Sequence, residues 1–190
     1  MEKSQAKTPR ERYRAEVRAE IKERAWEQIA TAGASALSLN AIAKQIGMSG
    51  PALYRYYAGR DDLITELVKD AYRGLADALR EASRTGAGPA ALAHALRGWA
   101  LRHPQRYFLI YGTPVPGYHA PEETVAITSE MMATVLDAFA ALPGEGPARS
   151  FDTHLADHRD WARGHSAGPA VLREALAFWT RLHGVLSLEL

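Results

Sequence analysis

Between Gly47 and Arg60 the chain reads GMSGPALYRYYAGR, two arginines, three tyrosines and a serine set among three glycines and a proline. None of these side chains is a ready nucleophile or general base, but as a group they are rich in hydrogen-bond donors. Such donors suit the phosphate oxygens and base edges of a duplex. Among Ser49–Arg55, Arg55 is the one side chain that can grip a guanine with two bonds, or it can hold a phosphate, as most protein–DNA contacts do. Ser38, Lys44, Tyr54, Tyr57 and Arg60 suit phosphates around a groove. Ser49, Gly50, Pro51 and Ala52 form a small front that lets backbone come close, and the carbons of Pro51 or Ala52 can meet a thymine methyl. Lys3, Lys7, Arg10, Arg12 and Arg14 can add backbone or minor-groove contacts. Arg10, Arg12 and Arg14 also alternate with Glu11 and Glu16, so a solvated helix face is equally compatible with them. Tyr57 can instead pack against the first helix, and Tyr56 is expected in the core.

A second set of residues points to different chemistry. His154 and His158 stand four apart, with Asp157, Asp160 and His165 nearby. That spacing can put two imidazoles on one helix face for a metal. No HExxH accompanies them, so a small helical metal-dependent enzyme, such as a hydrolase, is the second reading and no metal site is assigned. With no cysteine there is no thiolate zinc site, disulfide or thiol nucleophile. PGEGP (143–147) lacks the lysine and the preceding strand of a nucleotide loop, and GxSxG is absent. No cofactor is expected.

The elements that must position these residues all read as helix. Thr8, Pro9 and Glu11 form a helix start with a capping box. Tyr13, Val17, Ile21, Ala25 and Ile29 follow at four-residue spacing as one apolar stripe, and Gly33 ends the helix. Ser38 caps a second helix with Leu39, Ile42, Ala43 and Ile46, which stops at Gly47. Ser49 caps a third that runs to Gly59, with Pro51 in its first turn. A fourth starts near Arg60, over Asp61 and Asp62, and carries Leu63, Leu67, Ala71, Leu75 and Leu79 inward to about Ser83. Further helices are expected at about 90–102, 104–111, 121–142, 153–163 and from 169 onward. Rigid loop sequence lies at 111–121, and 143–150 reads as a linker. There are no strand-like runs and no repeats, so the fold class is all-α.

The second and third helices carry a helix-turn-helix pattern. Counted from Gly47, the small residue at −4 is Ala43, where a larger side chain would push the helices apart. Apolar residues fill −5, −1, +1, +6 and +9: Ile42, Ile46, Met48, Leu53 and Tyr56. Gly47 supplies the positive φ of the turn. In such a motif the second helix enters the major groove.

ALSLNAIAKQIGMSGPALYRYYAGRDDL (36–63) resembles the DNA-binding segment of the TetR family of bacterial transcriptional regulators, over roughly residues 10 to 70. Arg60 stands where a lysine is common, and Ala52 where a threonine is. The C-terminal half resembles the TetR-type regulators with a "WHG" C-terminal domain, on HPQRYFLIYGTPVPGYHAPEE (His103–Glu123) and WTRLHG (Trp179–Gly184). The resemblance implies a three-helix DNA-binding domain, residues 1–59, followed by a helical-bundle ligand-binding and dimerisation domain, residues 60–190. It further implies a double-stranded DNA operator, a homodimer through C-terminal helices, and a small-molecule effector that releases a repressor by moving the fourth helix. A helix-turn-helix protein without an effector is the third reading.

Trp99, Tyr107, Phe108, Tyr111, Met131, Met132, Phe139, Phe178, Trp179 and His183 are the large semi-polar residues between the later helices. They are candidates for an effector pocket, with plain core packing open for each and a structural hydrogen bond for His183. As a set they suggest an aromatic or lipophilic effector.

The composition is that of a globular chain: 47% hydrophobic and 24% charged over 190 residues. No apolar run reaches the roughly 20 residues of a membrane span, and the first 30 residues, charged on nearly every turn, do not read as a signal peptide. Cytoplasm is the simplest compartment. The net charge of +1 is unevenly spread: residues 1–60 hold 11 Lys+Arg against 6 Asp+Glu, and the remainder 12 against 16. A basic first third and a mildly acidic remainder fit a polyanion partner for the N-terminal part. FWTRLHGVLSLEL ends in apolar helix without a cap, which predicts either more helix beyond it or a buried terminus.

Overall fold

The computed structural model describes residues 8–86, 88–143 and 149–190. Lys3, Lys7 and most of the expected linker lie outside them. Nine α-helices and two 3-10 turns make up the secondary structure of the described residues, with no strand. The helices are α1 (Pro9–Ala32), α2 (Leu39–Gln45), α3 (Gly50–Leu53), α4 (Arg60–Arg84), α5 (Gly88–Arg102), α6 (Pro104–Tyr111), α7 (Glu122–Ala140), α8 (Ser150–Asp157) and α9 (Pro169–Glu189). None is long and apolar enough to cross a membrane.

The chain divides into two units. The first holds the chain through Leu67 together with Tyr111–His119, so the 111–119 loop groups with the early helices rather than with the later ones around it. Within this unit Thr65 Oγ1 and Tyr118 Oη lie 3.2 Å apart. Helix α1 begins as its sequence dictates: Thr8 Oγ1 accepts from the Glu11 amide while the Glu11 carboxylate accepts from the Thr8 amide at 2.7 Å. Its stripe of Val17, Ile21, Ala25 and Ile29 is buried, as are Leu39, Ile42, Leu53, Leu63, Ile64 and Leu67. Tyr13 breaks the expected stripe and is 63% exposed, because α1 extends past the core at that end. Gly33 closes α1 at φ 78°, ψ 163°, a combination that essentially only glycine adopts.

The second unit holds Val68–Ile110 and Ala120–Leu190. Its core collects Ala71, Leu75 and Leu79 of α4, Leu92, Leu96 and Trp99 of α5, Tyr107 of α6, Met131, Val135 and Leu136 of α7, and Leu172 and Leu186 of α9. Gly74 on α4 faces Trp99; a Cβ there would meet Trp99 Nε1 at 3.3 Å. Ion pairs join helix surfaces around this core: Lys69 with Glu123, Arg73 with Glu130, and Arg97 with Glu189. The expected polar helix near 153–163 resolves into α8 and a separate 3-10 turn at Asp160–Ala162. Leu155 is the buried residue of α8, and Asp152 on its first turn meets the buried Arg173 of α9 at 2.6 Å.

Candidate nucleic-acid interface

The corner between α2 and α3 is built from local rules. Ser38 caps α2, its hydroxyl accepting from the Ala41 amide at 3.3 Å, while its own amide donates to Gln28 Oε1 of α1 at 3.0 Å. Helix α2 ends in a Schellman arrangement: the Met48 amide returns to the Ala43 carbonyl at 2.8 Å and the Gly47 amide to that of Lys44 at 3.3 Å. Gly47 at φ +67° takes the left-handed position that this closure needs. Ala43 is 2% exposed, and Leu53 of α3 is fully buried. The short α3 starts on an extended Ser49, whose hydroxyl makes no capping bond, so only the backbone half of that expected cap forms.

What remains outside the corner is polar and accessible. Lys44, Ser49, Pro51, Tyr54 and Arg55 are exposed, and Ser38, Gly50 and Ala52 half-buried. One expected contact comes out differently. Tyr57 is completely buried, so its phenol is not on offer to a phosphate. The cause is that α3 ends at Leu53 and the chain continues as turns through Tyr56, which slides the inward position one residue along. Tyr56, expected in the core, is accordingly half-buried. Arg60 is also engaged within its own unit: its guanidinium donates to the carbonyls of Ala34 and Ser35 at 3.0 and 3.3 Å.

The end of α3 is held by Arg14, which the sequence pointed to only as a DNA contact or a solvated residue, and by Arg18, which sequence reasoning missed. Arg14 Nη2 donates to the Arg55 carbonyl at 3.4 Å. Arg18 Nη1 donates to the Tyr56 carbonyl at 3.1 Å, its Nη2 pairs with Glu66 of α4 at 3.2 Å, and its guanidinium lies 4.5 Å from the centroid of the Tyr57 ring. The available signal was the spacing of Arg10, Arg14 and Arg18, which puts three guanidiniums along one face of α1.

In the second unit the pocket candidates fall into separate groups. Tyr107 Oη and His183 Nδ1 lie 2.9 Å apart, and the Trp179 ring meets His183 edge to face at 4.5 Å. Burial lowers the His183 pKa to about 4, so this imidazole is neutral at physiological pH, and burial raises that of Tyr107. Phe139 and Phe178 form a second contact, at 5.3 Å. Trp99 and Met131 are buried, Met132 is half-buried, and Trp99 neighbours His103 at 6.0 Å. Burial, and then Arg106 and Arg102, lower the pKa of His103. Phe108 departs from the expectation of an interior lining: it is 43% exposed, turned outward one position after buried Tyr107 on the same helix. Tyr111 groups with the first unit.

His154 and His158 stack ring on ring at 4.2 Å, and Phe151 stacks on His154 at 5.4 Å. Among the described residues no cluster of three or more His, Cys, Asp or Glu is placed to hold a metal.

Residues 21–67 match the profile of the bacterial regulatory proteins of the tetR family, and residues 89–190 that of a tetracyclin repressor-like C-terminal domain. The HTH-type transcriptional regulator Rv1816 of Mycobacterium tuberculosis is 35% identical, over 93% of this chain and 81% of its own length. The crystal structure of SCO4313 is 66% identical with a TM-score of 0.88, over 96% of this chain and 87% of that one. The TetR family regulator PfmR of Thermus thermophilus, at 16% identity, shares the fold with a TM-score of 0.59 over 88% of this chain and 84% of its own. A donor-rich corner at the head of an all-helical chain, with these kinships along both parts of it, leads to one conclusion: the protein belongs to the tetR family and is a DNA-binding transcriptional regulator.

Proposed function

We propose that the protein is a homodimeric repressor that reads a palindromic operator through Ser49–Arg55 and releases it when a small lipophilic or aromatic effector binds in the second unit. The observation that carries the reading is the sorting of side chains at the α2–α3 corner. Ile42, Ala43, Leu53 and Tyr57 are buried, while Lys44, Ser49, Pro51, Tyr54 and Arg55 face solvent. Donors and a small front are thereby left accessible on the element that reads base edges in a helix-turn-helix.

Pairing of two copies is supported by apolar side chains left exposed late in the chain: Phe151 on α8, and Val185 and Leu188 on α9. Two copies would set their α3 elements about one DNA turn, roughly 34–36 Å, apart. The effector reading is supported by the Tyr107–Trp179–His183 group, where aromatic rings surround a neutral imidazole. Coupling is assigned to α4, which starts in the first unit and ends in the second. An effector shifts the equilibrium only by as much as it prefers one arrangement of that helix.

The test is binding to duplex DNA from upstream of the protein's own coding sequence, measured across a salt series. With six to ten phosphate contacts the affinity should fall by about 10³–10⁵ between 50 and 200 mM salt. A flat salt response, or equal affinity for a shuffled duplex, overturns the operator reading. An aromatic compound that binds the protein yet leaves operator affinity unchanged overturns the lever.

A further inference from the structure

Arg18 lies outside the surface assigned above to DNA, yet it joins three parts of the first unit. From α1 it donates to the Tyr56 carbonyl at the end of the recognition element, covers the face of the buried Tyr57 ring, and pairs with Glu66 on α4. Helix α3 supplies little rigidity of its own, since it has four helical residues and its α-type bonding is interrupted beyond them, where the Arg55 and Tyr56 amides return to Ala52 and Leu53, three residues back, between the four-back bonds of Tyr54 and Tyr57. A helix this short does not persist without external support. The direction in which Tyr54 and Arg55 project is therefore set by whatever holds the carbonyls behind them.

We infer that Arg18 is a positioning residue for base recognition: it fixes the end of α3 against α4 through Glu66 and so sets the angle at which Arg55 meets a base, without itself touching DNA. This deepens the DNA-reading proposal and rests on it. Geometry argues for the planar fork over a simple positive charge. One guanidinium nitrogen serves the Tyr56 carbonyl, another serves Glu66, and the carbon between them sits 4.5 Å over the centroid of the Tyr57 ring. A lysine ammonium keeps the charge but cannot hold all three at once.

The experiment compares the wild-type protein with Arg18→Lys and Glu66→Gln, both close in size to the original residue. Wild-type protein first enriches a duplex from a pool randomised over about 20 base pairs, two DNA turns. Affinity for that duplex and for a shuffled one of equal composition is then measured over a salt series, with the folded fraction of each variant checked by thermal melting. Both variants are expected to bind the shuffled duplex as wild type does and the enriched duplex at least about tenfold more weakly, with the salt slope unchanged because no phosphate contact is lost. Full retention of preference in either variant overturns the inference. So does an equal loss on both duplexes with a slope reduced by about one, which would make Arg18 a phosphate contact. If Arg18→Lys melts below the assay temperature, Glu66→Gln decides alone. A wild-type protein that enriches no duplex removes the DNA-reading proposal itself, a result distinct from a variant that keeps full preference.

Discussion

Arg55 and Tyr57 stand two residues apart in a run of similar character, and their environments separate them completely. Arg55 keeps its side chain in solvent, and Arg55→Ala should cost about 1–3 kcal/mol at one base position while relaxing the preference there. A loss spread evenly over all sequences, read from competition binding, would make it a phosphate contact. Tyr57 was not legible from spacing, because the offset that selects Tyr56 assumes a helix persisting through residue 57. For His183 the hydrogen bond alone was legible, since its place on the apolar face beside Gly184 predicts one, and Tyr107 Oη lies 2.9 Å from its Nδ1. Its pH behaviour follows with a definite sign. The folded pKa of about 4 lies below the unfolded 6.5, so the unfolded chain binds more protons between those values. Stability should therefore be full above about pH 6.5 and fall as the pH drops through 4, by at most about 3 kcal/mol. In urea titrations His183→Gln should remove that part of the acid dependence.

At the scale of elements, the residues that punctuate helices were the most legible. Thr8 with Glu11, Ser38, Gly47 and Pro104 mark boundaries that the backbone obeys, because each acts through bonds or torsions within a few residues. Gly33 and Gly47 differ in kind, however. A Cβ on either would touch nothing within 4 Å, so alanine costs backbone strain alone. Gly47 sits in the left-handed helical region, where an L-residue pays about 1–2 kcal/mol. Gly33, with ψ 163°, lies in a region nearly closed to other residues, at about 1–3 kcal/mol. Urea midpoints should thus fall further for Gly33→Ala than for Gly47→Ala, and Gly47→Asn should recover part of the loss. The pairings that hold elements together were illegible for a different reason. Arg173 with Asp152 and Arg18 with Glu66 are 21 and 48 residues apart, and no local period records such a meeting.

For the molecule as a whole, the uneven charge and the order of the helices could be read in advance, whereas the grouping of Tyr111–His119 with the early helices could not. That loop is sequence-distant from its unit, and only the folded chain brings Tyr118 to Thr65. If two copies pair through the last helices, replacing Val185 and Leu188 by glutamate should shift sedimentation to the monomer without unfolding the chain, since both side chains already face solvent. A dimer that survives the change would put the pairing surface elsewhere.

The brevity of α3 has a practical corollary for anyone wishing to redirect such a protein to new targets. Four helical residues cannot be lifted out as a module, because their shape is borrowed from Ala43 beneath, Gln28 beside Ser38, and Arg14 and Arg18 of α1. A synthetic peptide covering residues 38–57 should give a coil-like circular dichroism spectrum and no retention of a duplex that the intact chain holds. Swapping of specificity between relatives should succeed only when the matching stretch of α1 travels with the transplanted segment.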